Sequence, residues 1–202
     1  PNAGNPSKAQ RYVGSWGEVL KDMSQYNAEF LFPGHGPLIQ GKDTIKEILL
    51  NTSNCLLWIE ESVLKLMNQG STLRNIQDKI TLPDEFNQPY LVSSYDDFSF
   101  LINSVWRQYG GWYSGIPSEL KPPSLFDMGS AYIDMAGGKE NLLLFLQSLL
   151  AENKYKEASV LIDSISAVEP VFYRDIKNEI YSFLADHELS LIHISEPTRR
   201  VF

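Results

Sequence analysis

Residues 45–67 constrain the fold more than any other stretch. Ile45, Ile48, Leu49, Thr52, Leu56, Ile59, Val63, Leu66 and Met67 recur every three or four residues. That spacing lines one side of a helix for about six turns. A helix this long must cover its apolar side along its whole length, so the chain is predicted to be mostly α. Lys46, Glu47, Asn51, Glu60, Glu61 and Lys65 interrupt the stretch. No uninterrupted apolar run of about 18 residues exists, and no membrane span is expected. Thr44 and Glu47 have capping-box spacing at its start, and Asn68-Gln69-Gly70 reads as its C-cap.

The same periodicity predicts further helices. Tyr12, Trp16, Val19, Leu20 and Met23 argue for one over 7–25. A short helix starting at Ser71 turns Leu73, Ile76 and Ile80 inward. Asp96 or Asp97 caps a helix over 98–109, and Ser124 caps one over 125–135. Residues 139–153, 155–167 and 171–187 form an antiparallel helical series. Ala158 with Leu161, Ile162 and Ile165 suits close helix contact there, so the series resembles tetratricopeptide-like pairs without a repeated period. The count is about seven helices, with one strand at 28–32 and at most one more.

Charge and cysteine content narrow the function. The formal net charge is −8 and no basic stripe is present, so nucleic acid is not an expected partner. The single cysteine, Cys55, lies in the long helical pattern and reads as a core residue. It leaves no internal disulfide and no cysteine zinc site. The first residues carry neither Met nor a basic-then-apolar signal, so the chain reads as part of something longer and its compartment stays unassigned. Residues 189–199, LSLIHISEPTR, resemble the conceptual translation of a transposase-type sequencing adapter. Residues 189–202 are therefore set aside as non-native, and His193 with them.

His35 stands at the end of the predicted strand, between Gly34 and Gly36 and inside Pro33 and Pro37. A strand-end loop is a usual place for a metal ligand, since the strand fixes the position and the loop opens the ring to a site. Zinc needs three or four ligands, and the chain offers no convincing set: there is no HxH pair and His187 is at the far end. Asp96-Asp97 reads as a helix cap and Glu60-Glu61 as a solvated helix edge. No residue is assigned as catalytic.

Two motifs carry a specific resemblance. GNPSKAQRYVGSWGEVLKDM followed by AEFLFPGHGPLIQG looks like the end of a metallo-β-lactamase-fold hydrolase domain. VWRQYGGWYSGIPSELKPP is similar to the signature of the alkylsulfatase dimerisation domain, usually close to YGGWYDGNPAxLxP. Their order matches the SDS-hydrolase-like alkylsulfatase branch of the superfamily. The resemblance implies the end of an αββα domain at 1–42, an all-helical dimerisation domain at 43–188 and the set-aside tail at 189–202.

It also implies chemistry. Related enzymes cleave alkyl sulfate esters with a binuclear zinc centre and act as homodimers. Most of their ligands lie in an upstream HxHxDH motif absent from this sequence, and the last is the histidine at the position of His35. Arg11, within Gln10-Arg11-Tyr12, matches a position near the active site, where a guanidinium binds a sulfate in bidentate fashion; otherwise it is a helix-surface arginine. Trp112 and Tyr113 either line an apolar channel for an alkyl chain or plug a seam between helices. Ser114 and Ile116 depart from the usual Asp and Asn.

The expectation is a fragment of a zinc-dependent alkyl sulfate hydrolase, inactive alone. One alternative is a metallo-β-lactamase-fold hydrolase of a thioester, lactone or phosphodiester. The other is a non-enzymatic helical dimerisation or interaction module.

Overall fold

A computed structural model describes residues 3–5, 9–34, 36–91 and 97–187. His35, Asp96 and the segment 189–202 lie outside the described residues, as does the side chain of His187. The chain divides into two compact units, Pro1–Glu119 and Leu120–Phe202, each with its own core. This division by packing falls inside the span 43–188 that the resemblance treats as one domain. Among the described residues there are eight α-helices and one two-stranded ladder, so the mostly-α reading stands.

In the first unit, α1 (Val13–Met23) packs on α2 (Lys42–Asn68). The helix expected over 7–25 begins at Val13, because Tyr12 is extended and Gln10 and Arg11 before it are bonded to another helix, α4 (Phe98–Gly110). The Ser104 hydroxyl donates to the Arg11 carbonyl at 2.8 Å, and the Gln10 amide donates to the Ser104 carbonyl at 2.9 Å. The buried face of α1 is Val13, Gly14 and Gly17, while Tyr12 and Val19 are exposed. Glycine is needed at position 17: a Cβ there would sit 2.9 Å from Leu57 Cγ and 3.2 Å from the Ser53 carbonyl oxygen. The fully buried Ser53 hydroxyl instead donates to the Gly17 carbonyl at 2.7 Å.

The strand expected at 28–32 contracts to β1 (Phe30–Leu31), paired antiparallel with β2 (Ile39–Gln40) in the register Phe30 to Gln40 and Leu31 to Ile39. Pro33, with no N–H to give a ladder, bounds it. The capping box expected at Thr44 is corrected as well. Helix α2 starts at Lys42 with Gly41 as its N-cap and no side-chain cap. The Gly41 N–H donates to the Glu29 carbonyl at 3.0 Å, tying the helix start to the ladder. At the far end, Gly70 at φ +79 allows a Schellman turn, with the Gly70 N–H on the Met67 carbonyl and the Ser71 N–H on the Leu66 carbonyl.

Thr72, rather than Ser71, caps α3 (Leu73–Lys79), and Asp97 caps α4 through the Ser99 N–H at 2.7 Å. Ile59, Val63, Ile76, Ile102 and Val105 form the centre of this core. Cys55 is 8% exposed and belongs to it, as read from the sequence. Glu60 is only half-buried. It lies against Gly14 and accepts a hydrogen bond from the Tyr109 hydroxyl at 3.0 Å, so it is more than a solvated edge.

The second unit contains α5 (Leu125–Met135), α6 (Lys139–Ala151), α7 (Tyr155–Val168) and α8 (Arg174–His187). Ser124 caps α5 through the Asp127 N–H at 3.0 Å. Ala158, Ile162 and Ile165 of α7 are buried with Leu146 of α6 and Ile180 of α8. Gly129 of α5 lies against the backbone of α7 at Ser164. No helix among the described residues is long and apolar enough to cross a membrane.

Candidate functional site

A cleft in the first unit has a volume of about 330 Å³. It is lined by Gln10, by Phe100, Asn103, Ser104 and Arg107 of α4, by Leu73 of α3 and by Trp112. Positions 100, 103, 104 and 107 share one helix face, so α4 alone presents an aromatic ring, an amide, a hydroxyl and a guanidinium to one space. Among the described residues no carboxylate lines the cleft and Arg107 has no carboxylate partner. In a chain of net charge −8 this is a local cationic spot, suited to an anion with an apolar portion.

The loop after α4 holds Trp112 over this cleft. Gly111, at φ +75, reverses the chain directly after the helix. The Trp106 indole N–H donates to the Tyr113 carbonyl at 2.9 Å, and the Leu73 N–H donates to the Ser114 carbonyl at 2.9 Å. The Ser114 hydroxyl donates to Glu119 Oε2 at 2.5 Å and accepts the Ile116 N–H at 3.3 Å. Glu119 Oε1 in turn pairs with Arg74 at 2.8 Å. Gly115, at φ +89, lies against Thr72, where a Cβ would meet Thr72 Cγ2 at 3.1 Å.

The residues singled out in the sequence fare differently. Trp112 lines the cleft and is 75% exposed, so it is no seam-filling core residue. Tyr113 is half-buried and does not line the cleft; its ring meets Trp112 edge-on, with centroids 6.5 Å apart. Arg11 is exposed, and only its backbone is fixed, through Ser104. His35 lies outside the described residues. Arg107, Asn103 and Ser104 were not singled out. Their signal is the polar i, i+1, i+4 pattern on α4, just ahead of the Gly110-Gly111 break.

Cys55 is the single thiol of the chain, and burial pushes it up to about 11. A thiol so protonated is inert at neutral pH. Among the described residues no group of three His, Cys, Asp or Glu side chains is placed to hold a metal ion. These residues therefore do not make a zinc site by themselves.

The model of the family described as "Alkyl sulfatase dimerisation" matches residues 72–193, more than half of the chain. The chain belongs to the alkyl sulfatase dimerisation family. The matched span includes the cleft helix, the Trp112 loop and the whole helical series, and it ends at His193, inside the segment set aside as a tail. A linear primary-alkylsulfatase of Pseudomonas sp. (strain ATCC 19151) is 25% identical over 131 residues, 64% of this chain and 25% of that protein. An (R)-specific secondary-alkylsulfatase of Pseudomonas sp. is 26% identical over 144 residues, 70% of this chain and 22% of that protein. The chain thus spans about a quarter of the length of these relatives. The solved structure of a double mutant of the sec-alkyl sulfatase PisA1 superposes with a TM-score of 0.77 at 22% identity, covering 84% of this chain and 28% of that one. That likeness establishes the shared fold.

Proposed function

We propose that this chain is part of a zinc-dependent hydrolase of alkyl sulfate esters. In this reading it supplies one metal-ligating histidine, His35, an anion-receiving cleft and the region through which two copies associate. The carrying observation is the family match over 72–193, whose span contains Arg107 and Trp112 at one cleft. The guanidinium of Arg107 receives the sulfate and its five donors fix the orientation. The Trp112 indole covers the first part of the alkyl chain and displaces water from it. Arg11, exposed beside Gln10, is the second guanidinium available to the anion. His35 alone cannot hold zinc, so the remaining ligands come from outside these 202 residues. No catalytic residue is assigned to this chain.

The rival reading, another ester, rested on the loss of an acid and an amide at Ser114 and Ile116. We read that departure as a loop-building one, since the Ser114 hydroxyl is bonded inside the loop to Glu119 and Ile116. Sulfate release from octyl sulfate tests the proposal, with the full-length gene product and added zinc. Turnover is expected from that protein, a loss of about 100-fold or more from His35→Ala, and a raised KM from Trp112→Ala. The isolated chain is expected to be inactive. Turnover by the isolated chain, or activity of the full-length protein on lactones or thioesters alone, overturns the reading.

A further inference from the structure

Helix α6 carries apolar residues on two opposite sides. Leu142, Leu146, Leu149 and Leu150 are buried in the second core. On the other side Leu144 is 65% exposed and Phe145 50% exposed, on a stripe with the exposed residues Asn141, Ser148 and Ala151. No residue from Asn141 to Ala151 carries a charge. A helix with large apolar side chains on two sides is normally covered on both, and among the described residues only the Leu142–Leu146 side of α6 is covered.

The side-chain donors on the stripe are already bonded within the chain. The Ser148 hydroxyl donates to the Phe145 carbonyl at 2.7 Å. The Asn141 amide donates to the carbonyls of Ala136 and Gly137 at 3.2 and 3.3 Å. Covering the stripe would therefore strand neither donor, and the usual desolvation cost of a polar helix face is absent. The arrangement of sizes also matters. Two large side chains lie one turn before two small ones, Ser148 and Ala151.

We infer that this stripe of α6 is the surface on which a second copy of the chain docks, α6 running antiparallel to its counterpart across a two-fold axis. The inference rests on the self-association reading above, since the matched family is described by dimerisation and its span contains all of α6. A two-fold contact is self-complementary: what residue i meets on residue j, residue j meets on residue i. Leu144 and Phe145 of each copy then fill the space above Ser148 and Ala151 of the other. No large side chain has to oppose its own image at the centre.

Sedimentation equilibrium of the 202-residue chain tests this, with Phe145→Asp and Leu144→Lys as variants and circular dichroism as the check on folding. The wild type is expected to dimerise. Each variant is expected to raise the dissociation constant by at least about 100-fold while keeping wild-type ellipticity, because the lesion enters the interface twice. Should a charged variant lose helix, Phe145→Ser replaces it. A dimer that survives these variants unchanged overturns the α6 assignment and leaves self-association standing. A chain that stays monomeric at all concentrations overturns both.

Discussion

Replacing Gly129 by alanine should destabilise the second unit. Helix α5 approaches α7 so closely that a Cβ on Gly129 would lie 2.3 Å from the carbonyl oxygen of Ser164 and 2.8 Å from Val168 Cγ2. Ordinary contact begins at 3.4 Å, so α5 must retreat by 3.4 − 2.3 = 1.1 Å along the line of contact. A gap of about 0.5–1 Å forfeits a quarter to a half of the dispersion attraction across an interface. The obstacle is backbone, so no side-chain rotation relieves it. Overpacking of this kind costs about 1–3 kcal/mol, while alanine returns about 1 kcal/mol of helix propensity. With backbone as the obstacle the upper end of the cost applies, leaving a net loss of about 2 kcal/mol, or roughly 1 M in the urea midpoint at typical slopes for small domains.

The assay is urea unfolding followed by ellipticity at the helical band. All four tryptophans, Trp16, Trp58, Trp106 and Trp112, lie in the first unit, so ellipticity must carry the signal. Val168→Ala should not rescue the variant, since it leaves the Ser164 carbonyl in place. An unchanged or raised midpoint in Gly129→Ala would refute the close approach of α5 to α7.

Two further outcomes follow from the loop and the buried thiol. Ser114→Asp restores the acid usual in the family but sets it against Glu119, which the serine hydroxyl now touches at 2.5 Å. It should lower the thermal midpoint read by tryptophan emission, and Glu119→Gln should relieve the loss in the double variant; additive losses would sink this account of the loop. For Cys55, burial raises the thiol from its ordinary 9.0 to about 11. Between those values the folded chain keeps a proton that the unfolded chain releases, so stability falls as pH rises through this window. Cys55→Ala, measured against wild type from pH 8 to pH 11, should lose that part of the slope; parallel curves would count against a buried thiol.

Much of the fold was legible because it rests on local rules. The apolar spacing of α2, the cap residues Asp97 and Ser124, and the Asn68-Gln69-Gly70 terminus are all encoded within a few residues of where they act. The start of α1 was not legible, since Gln10 and Arg11 are held by Ser104, more than ninety positions away. The role of Gly14 and Gly17 was hidden for a similar reason: a glycine in a helical pattern gives no hint of the helix that will lie against it. At the candidate site, Trp112 was visible as an aromatic beside a glycine pair. Arg107 was not, because an arginine on an amphipathic helix looks like any solvated charge until the neighbouring cleft is known.

The contact between α1 and α2 bears on how this region can be cut, recombined or inherited. The family match starts at residue 72, and a fragment made to that boundary would contain α3, α4 and the helices after them. It would lack Val13, Leu56, Ile59 and Val63, against which Ile76, Ile102, Val105 and Trp106 are packed. Such a fragment would present an open half-core to water. Ancestry and packing draw different borders here. A piece meant to fold on its own has to begin before Val13, taking in the Gln10 and Arg11 segment that Ser104 holds in place.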